Sequence, residues 1–228
     1  MPHRLFLTGD THRQVDVAKL SFQKFPIQKD LDRSDIMVVL GDWGVLWYGD
    51  ERDNKWINAW DLKPWTTFVV YGNHDNYSAL QKYPIVYKFG AAARKITDNI
   101  YVAESGNIYN LNGKLCLCIN GADSVDRSVR TEGLNWWSEE AISSDVITQA
   151  LHELEAYNFE IDYLFTHCGG TEVCTSLGFT PMPSEKQLQK LIDLGPKNDY
   201  VHYCGHYHLD QWINVNTRIV YQDIIEIR

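Results

Sequence analysis

The sequence has few of the features that mark membrane, fibrous or multidomain proteins. No apolar stretch in its 228 residues approaches the ~20 residues that a membrane-spanning helix needs. It also lacks low-complexity tracts, Pro/Gly/Ser-rich linkers and obvious internal repeats. With 44% hydrophobic residues and a length that can bury a sizeable core, residues 1–228 are expected to form a single globular domain.

Cysteine is sparse. The chain has five cysteines, an odd number, with no Cys-x-x-Cys pair and no regular spacing. The first residues, Met1-Pro2-His3-Arg4, lead into an apolar run without the pattern of a signal peptide. Together these features predict a reduced, cytoplasmic protein.

Basic residues are outnumbered by acidic ones. The chain has 21 Lys and Arg against 30 Asp and Glu, which gives a net charge of −9 and a pI near 5.3. Proteins that grip nucleic acid polymers through phosphates use clustered Lys and Arg, so such a partner is not expected. An anionic substrate would need a local source of positive charge, and bound metal ions are one such source.

What the sequence does contain is a series of apolar runs that alternate with amphipathic segments. The run at 5–7 reads as a strand, and the apolar spacing of three and four residues between 15 and 25 predicts an amphipathic helix. Further strands are predicted at 36–40 and 68–71, with a helix around 56–60 between them. Strands that are apolar along their whole length and alternate with helices imply a sheet covered on both faces.

The second half of the chain adds antiparallel strands. Asn112-Gly113 lies between two strand-like segments over 108–118 and predicts a tight hairpin, because Asn and Gly accept the positive φ angles of a type I′ turn. Another strand is predicted at 163–165, followed by a long loop over 168–183. The expected architecture therefore combines parallel and antiparallel strands.

Polar residues collect where the predicted strands end. They are Asp10 with His12, Asp42, Asn73 with His74, His167, and His206 with His208. Each cluster alone has an ordinary alternative, such as a capping aspartate, a hydrogen-bonded core histidine or an exposed strand face. Ligands of such α/β sheets bind outside the carboxyl ends of the strands, so the separate clusters can converge on one site.

In this order the motifs resemble those of the calcineurin-like metallophosphoesterase superfamily. The matching motifs are Asp10-x-His12, Gly41-Asp42, Gly72-Asn73-His74-Asp75, His167 and Gly205-His206-x-His208. The Trp-rich loop after Asp42 and the segment 130–137 also resemble small stand-alone bacterial and bacteriophage members. The resemblance implies an α/β fold, a four-layer αββα sandwich of two mixed β-sheets flanked by helices.

The resemblance also implies a dinuclear metal centre. One ion would be held by Asp10, His12, Asp42 and His208, and the other by Asp42, Asn73, His167 and His206. Carboxylate, amide and imidazole donors without thiolate favour manganese as the first choice, with Fe, Ni, Co and Zn as alternatives. His74 would protonate the leaving group as general acid, and Asp75 would hold its ring and favour its charged form.

Three further residues are predicted to contact the substrate: Arg13, Trp43 and Arg130. The two arginines offer charge to a phosphate, although a solvent-exposed arginine is the alternative for each. Trp43 lies just past Asp42 and could form part of an aromatic wall against a base or aryl group, with packing against the core as the alternative. The Asp-Arg-Gly of the Ser/Thr protein phosphatase branch is replaced by Asp42-Trp43-Gly44, which argues against protein phosphatase activity.

The sequence therefore predicts a dinuclear metal-dependent phosphoesterase. A metal-activated water and His74 would hydrolyse a small phosphodiester, for instance a nucleotide. A phosphomonoesterase with the same metal centre is the close alternative, while a non-catalytic metal-binding module and a nuclease are more distant ones. The expected partner is a small phosphorylated substrate, with neither a membrane nor a nucleic acid polymer, and the oligomeric state is left open.

Overall fold

The computed structural model describes residues 3–227, which form two β-sheets with helices around them. The strands are β1 Leu5–Gly9, β2 Ile36–Leu40, β3 Thr66–Val70, β4 Ile85–Lys88, β5 Ala91–Lys95, β6 Ile100–Ala103, β7 Asn107–Leu111, β8 Lys114–Ile119, β9 Tyr163–Thr166, β10 Val201–Cys204, β11 Gln211–Trp212, β12 Thr217–Ile219 and β13 Ile225–Ile227. The α-helices are α1 Asn54–Asp61, α2 Tyr77–Leu80, α3 Ser144–Ala156, α4 Thr171–Ser176 and α5 Pro183–Leu194. Short 3-10 turns lie at Val17–Leu20, Pro26–Asp30, Glu51–Asp53, Arg127–Val129 and Ser138–Glu140.

Both sheets are mixed. The first has seven strands in the order β13-β1-β2-β3-β6-β5-β4, and the second has six in the order β11-β12-β10-β9-β8-β7. Neighbours among β1, β2, β3 and β6 are parallel, as are neighbours among β8, β9, β10 and β12. The outer pairs of each sheet are antiparallel. Each sheet therefore has a central parallel part, whose strands all end at the same edge.

Alternating side chains bury both faces of each sheet. In β1, Leu5 and Leu7 enter the core between the two sheets, whereas Phe6 enters a core on the outer face of the first sheet. The outer face of the second sheet packs in the same way, with Leu164 in a cluster that also contains residues of α3 and α5. These layers confirm the predicted αββα sandwich of two mixed sheets. Within residues 3–227, every helix falls short of the length and apolarity that a bilayer crossing requires.

The predicted hairpin is also confirmed. β7 and β8 pair antiparallel, and the two turn residues have positive φ, 52° at Asn112 and 89° at Gly113. Both angles suit a type I′ turn, in which residues other than Gly, Asn or Asp would be strained. The Asn112 side chain also donates to the backbone oxygens of Arg4 and Ser34, so the turn is tied to the first sheet.

Two segments differ from the expectation. The stretch 15–25 is not an amphipathic α-helix: Val15 and Phe22 are 69% and 67% exposed, while Lys19 is buried and donates to backbone oxygens at the end of β1. Because the Lys19 side chain points inward and binds these oxygens, the segment does not form the regular helix that the apolar spacing predicts. The predicted loop 168–183 contains α4, a helix of six residues that is too short to show a helical period in the sequence.

The two sheets are joined by hydrogen bonds as well as by apolar packing. Tyr109 of β7 is fully buried, and its hydroxyl lies 2.5 Å from the Ala92 carbonyl oxygen of β5. The same hydroxyl accepts from the Glu104 backbone N–H at 2.8 Å. One phenol thus satisfies a donor and an acceptor of the opposite sheet.

Tyr109→Phe is expected to lower the free energy of unfolding by about 1–3 kcal/mol, because it leaves both backbone groups without their partner. Urea denaturation followed by tryptophan fluorescence measures the change. Tyr87→Phe is the matched control, since Tyr87 is 80% exposed. Equal stability of the two variants would show that the Tyr109 hydroxyl does not link the sheets.

Candidate metal centre

The predicted polar clusters meet at one edge of the sandwich. The residues after β1, β2 and β3, three adjacent parallel strands of the first sheet, come together with the residues after β9 and β10 of the second sheet. Parallel strands deliver their carboxyl ends to a common edge, and the packing of the two sheets brings the two edges together. All seven predicted metal ligands lie in this region.

The first set of donors consists of Asp10, His12, Asp42 and His208. One ligand atom from each residue lies within 4.8 Å of the others. His12 Nε2 is 3.2 Å from Asp42 Oδ2, and His208 Nε2 is 3.5 Å from Asp10 Oδ1. The predicted first ligand set is therefore brought together around one point.

The second set is centred on His167. Its Nε2 lies 3.0 Å from Asn73 Oδ1, 3.2 Å from Asp42 Oδ1 and 3.3 Å from His206 Nδ1. The Asn73 amide also donates to Ser124 Oγ at 3.1 Å, which turns its oxygen toward His167. The four predicted ligands of the second ion are thus also neighbours.

Asp42 belongs to both sets. Its Oδ2 faces His12, and its Oδ1 faces His167 and accepts from the His74 backbone N–H at 2.8 Å. Burial alone would raise the pKa of Asp42, but His167 and His12 hold it well below its usual range. An ionised carboxylate with one oxygen toward each donor set is suited to bridge two cations.

The backbone is strained at the ligand positions. Of the seven predicted ligands, five have positive φ angles: Asp10 28°, His12 40°, Asp42 47°, His206 69° and His208 54°. Non-glycine residues rarely adopt such angles, which cost on the order of 1–3 kcal/mol each and cluster at functional sites. The strain indicates that this edge of the sheets is a functional site, where the backbone adopts unfavourable φ angles to position the ligand side chains.

Hydrogen bonds fix the orientation of two imidazoles. His167 Nδ1 lies 2.9 Å from the Leu40 carbonyl oxygen, so Nδ1–H donates there and Nε2 is left as the acceptor facing the centre. His12 Nδ1 lies 2.9 Å from Asp16 Oδ2, which leaves its Nε2 toward Asp42 in the same way. Metal-binding histidines are typically oriented by such outer hydrogen bonds.

The outer layer around the first donor set includes residues that the sequence did not indicate. The Tyr221 ring stacks on His208, with centroids 4.7 Å apart and planes 10° from parallel. Its hydroxyl donates to Asp16 Oδ1 at 2.7 Å, so one tyrosine supports both His208 and the partner of His12. Neither Asp16 nor Tyr221 had a usable signal in the sequence: a four-residue spacing such as that of His12 and Asp16 predicts a contact only on a helix, which this segment does not form, and Tyr221 is far from Asp16 in the chain.

Lys19 stabilises the outer layer through its contacts with backbone oxygens. Its ammonium group is buried and donates to the backbone oxygens of Gly9, Asp10 and Tyr221, and burial lowers its pKa to about 8. These bonds tie the end of β1, which carries Asp10, to the C-terminal segment that carries Tyr221. Lys19 is therefore a structural cation, bound to carbonyl groups.

His74 lies beside the centre and contacts Arg130. Arg130 Nη2 is 2.9 Å from His74 Nε2, and Arg130 Nε pairs with Asp126 at 2.8 Å. Because guanidinium nitrogens can only donate, the imidazole accepts and is neutral in this arrangement. Burial, helped by the charge of Arg130, lowers the pKa of His74 despite the nearby Asp42. The segment 121–141 thus brings Arg130 to the site.

The predicted role of Asp75 as support for the His74 ring is wrong. Its carboxylate accepts from the backbone N–H groups of Gly72, Trp43 and Gly44, at 2.8, 3.2 and 2.7 Å. These bonds join the turn after β3 to the turn after β2. Asp75 therefore shapes the two loops that carry Asn73 and Asp42, whereas Arg130 contacts the imidazole.

Two of the predicted substrate contacts are also placed differently. Trp43 is fully buried and packs edge-to-face on Trp60 at 5.7 Å, so it cannot form a wall against a substrate. Arg13 pairs with buried Asp53 at 2.8 Å and lies over the Tyr48 ring, which argues for a structural role. The continuous burial of residues 43–46 after Asp42 could not be predicted from the composition of the loop, because the loop has no regular period.

The donors present fit two divalent cations. Carboxylate, amide and imidazole groups converge without a thiolate among them, which suits borderline metals such as Mn, Fe, Co, Ni or Zn. The paired sets and the shared Asp42 favour a dinuclear site. Such a centre can activate a water molecule and neutralise phosphate oxygens.

Comparisons with known proteins identify a matching family and two similar solved structures. The family model for calcineurin-like phosphoesterases matches residues 3–210. Among solved structures, a protein of unknown function from Aquifex aeolicus is 20% identical, with 73% of this chain and 81% of that chain covered and a TM-score of 0.35. Another solved structure is 15% identical, with 96% of this chain and 90% of that chain covered and a TM-score of 0.46. No curated protein matches the sequence.

Tyr221→Leu is expected to weaken Mn²⁺ binding by about 10-fold or more, because loss of an outer-layer partner typically costs 10–100-fold in metal affinity. Tyr221→Phe keeps the stack on His208 and loses only the bond to Asp16, so its affinity should fall between those of Tyr221→Leu and wild type. Calorimetric titration with Mn²⁺ measures the change. Tyr87→Leu is the control at an exposed tyrosine, and a Tyr221→Leu affinity equal to that of wild type would contradict the role.

Proposed function

Because this chain belongs to the calcineurin-like phosphoesterase family and is a metal-dependent hydrolase of phosphate esters, we propose that it hydrolyses a small phosphodiester with two divalent ions, manganese being the first choice. The observation that carries the proposal is the position of Asp42, with one carboxylate oxygen toward each donor set. A shared carboxylate is what a pair of closely spaced ions requires. Bound there, the ions would lower the pKa of a water and offset the charge of the phosphate.

The shape of the surface beside the centre favours a diester over a monoester. Two clefts meet at His74. The larger, about 580 Å³, is called the Phe179 cleft and includes His74, Val125, Arg130, Phe179 and Met182. The smaller, about 310 Å³, is called the Tyr48 cleft and includes His12, His74, Trp47 and Tyr48. A diester has two ester arms and can place one in each cleft, whereas a monoester would leave one cleft empty.

His74 stands where the two clefts join, which suits a general acid. As an acid the imidazole carries N–H on both nitrogens, so it can no longer accept from Arg130. A phosphate oxygen between the two side chains would give both donors an acceptor. Arg130 is therefore proposed to turn from His74 to the substrate phosphate, with Asp126 holding its Nε.

The function is tested by adding Mn²⁺ to purified protein and comparing bis-p-nitrophenyl phosphate with p-nitrophenyl phosphate. A higher kcat/KM for the diester is expected, together with two metal equivalents per chain by elemental analysis. A higher value for the monoester would make the protein a phosphomonoesterase. Absence of both metal and turnover would favour a non-catalytic module.

His74→Asn is expected to keep the metal content and to lower kcat by about 10²–10⁴-fold on a dinucleotide, whose alkoxide leaving group needs a proton. The loss should be much smaller on bis-p-nitrophenyl phosphate, because p-nitrophenolate is a better leaving group. Steady-state kinetics on both substrates, with metal content measured in parallel, check this. An undiminished kcat on the dinucleotide would remove His74 from the chemistry.

A further inference from the structure

Apolar side chains are exposed inside the Phe179 cleft. Phe179 is 58% exposed and Val125 84% exposed, although both belong to the cleft that holds His74 and Arg130. They come from separate segments, Val125 from the stretch before the turn Arg127–Val129 and Phe179 from the connection between α4 and α5. Apolar side chains that face a cavity of ligand size mark a binding surface, since burying them there is favourable.

The Phe179 ring is held in position relative to the metal ligands. It stacks on Tyr207, with centroids 6.5 Å apart and planes 12° from parallel. Tyr207 stands between His206 and His208, and its hydroxyl accepts from the Gly169 backbone N–H at 3.2 Å. The Phe179 backbone N–H in turn donates to the Cys174 carbonyl oxygen of α4 at 3.0 Å. The aromatic surface is therefore part of the same framework as the ligands.

Charged and apolar groups have separate positions in the cleft. Arg130 pairs with Asp126 and contacts His74, next to the metal centre. Glu185 accepts from the Met182 backbone N–H at 2.6 Å and so is engaged at the start of α5. Beyond the phosphate, the cleft offers a ligand the apolar surface of Val125, Phe179 and Met182, with Thr180 beside it. A planar ring presents a flat apolar face that suits stacking on Phe179.

We propose that the Phe179 cleft is a subsite for a planar aromatic group, aryl or nucleobase, carried on one arm of the phosphate ester. This inference rests on the proposed function, since the phosphate is taken to lie at the metal centre. Phe179 would be a specificity-determining residue that selects aromatic over alkyl esters. The same contact would hold the ester in register with His74.

The test compares the binding of phenylphosphonate and methylphosphonate to the Mn²⁺-loaded protein by calorimetry. Each compound has a single organic group, which can enter either the Phe179 cleft or the Tyr48 cleft. Wild type should bind the phenyl compound about 10-fold more tightly than the methyl compound. Phe179→Ala should reduce this ratio to about 1–2-fold, since an aromatic pair contributes up to about 10-fold in affinity beyond its area. Phe179→Leu, which is apolar but not planar, should give an intermediate ratio.

Phe22→Ala is the control, because Phe22 is 67% exposed and is not one of the residues of the cleft; it should keep the wild-type ratio. A ratio that persists in Phe179→Ala, or a wild type without aryl preference, would overturn the subsite. Hydrolysis of methyl p-nitrophenyl phosphate by the wild type is measured in parallel. If the wild type does not hydrolyse this diester, the proposed function is contradicted. The ratio of the two binding affinities tests the subsite independently of that result.

Discussion

The carboxylate of Asp42 is the contact on which the site depends, because it joins the two sheets at their carboxyl edge. Oδ2 meets His12 after β1, while Oδ1 meets His167 after β9 and the backbone of His74 after β3. The Asp42 carbonyl oxygen also accepts from the backbone N–H groups of Thr11 and His12, at 3.1 and 2.8 Å. One residue therefore sets the separation of the two donor sets, and cations between them would offset the repulsion of the nearby carboxylates.

Such close approach requires the glycines next to the ligands. A Cβ on Gly72 would lie 2.3 Å from Asp42 Oδ1 and 2.7 Å from His167 Nε2. A Cβ on Gly41 would lie 2.0 Å from His167 Nδ1, and Gly41 also has a φ of 86°. Any side chain at either position would push the imidazole out of place. Asp75 completes this packing by binding the two loops through their backbone N–H groups.

The parts of the site that could be predicted from sequence are those in which position along a strand decides the outcome. Asp10, Asp42 and His167 follow apolar strands within two residues, so their convergence is a consequence of sheet topology. Contacts made by loops could not be predicted, because no period constrains them: Trp43 turns into the core, and Phe179 faces the cleft from a segment that contains a short helix. The stack of Tyr221 on His208 depends on how the C-terminal segment returns to β1, which no local pattern encodes.

The distribution of charge links the fold to the proposed chemistry. The chain carries a net charge of −9, and its ligand sets include Asp10 and Asp42 at the position where a phosphate would arrive. The arginines of the two clefts are Arg13 and Arg130, and Arg13 is paired with Asp53. The carboxylates of the ligand sets would repel an anionic substrate, and Arg130 is the cleft arginine placed to attract it. In the proposed function the ions would offset these carboxylates, and so would favour substrate binding as well as hydrolysis. The apolar surface around Phe179 can then select the organic part of the ester without adding charge.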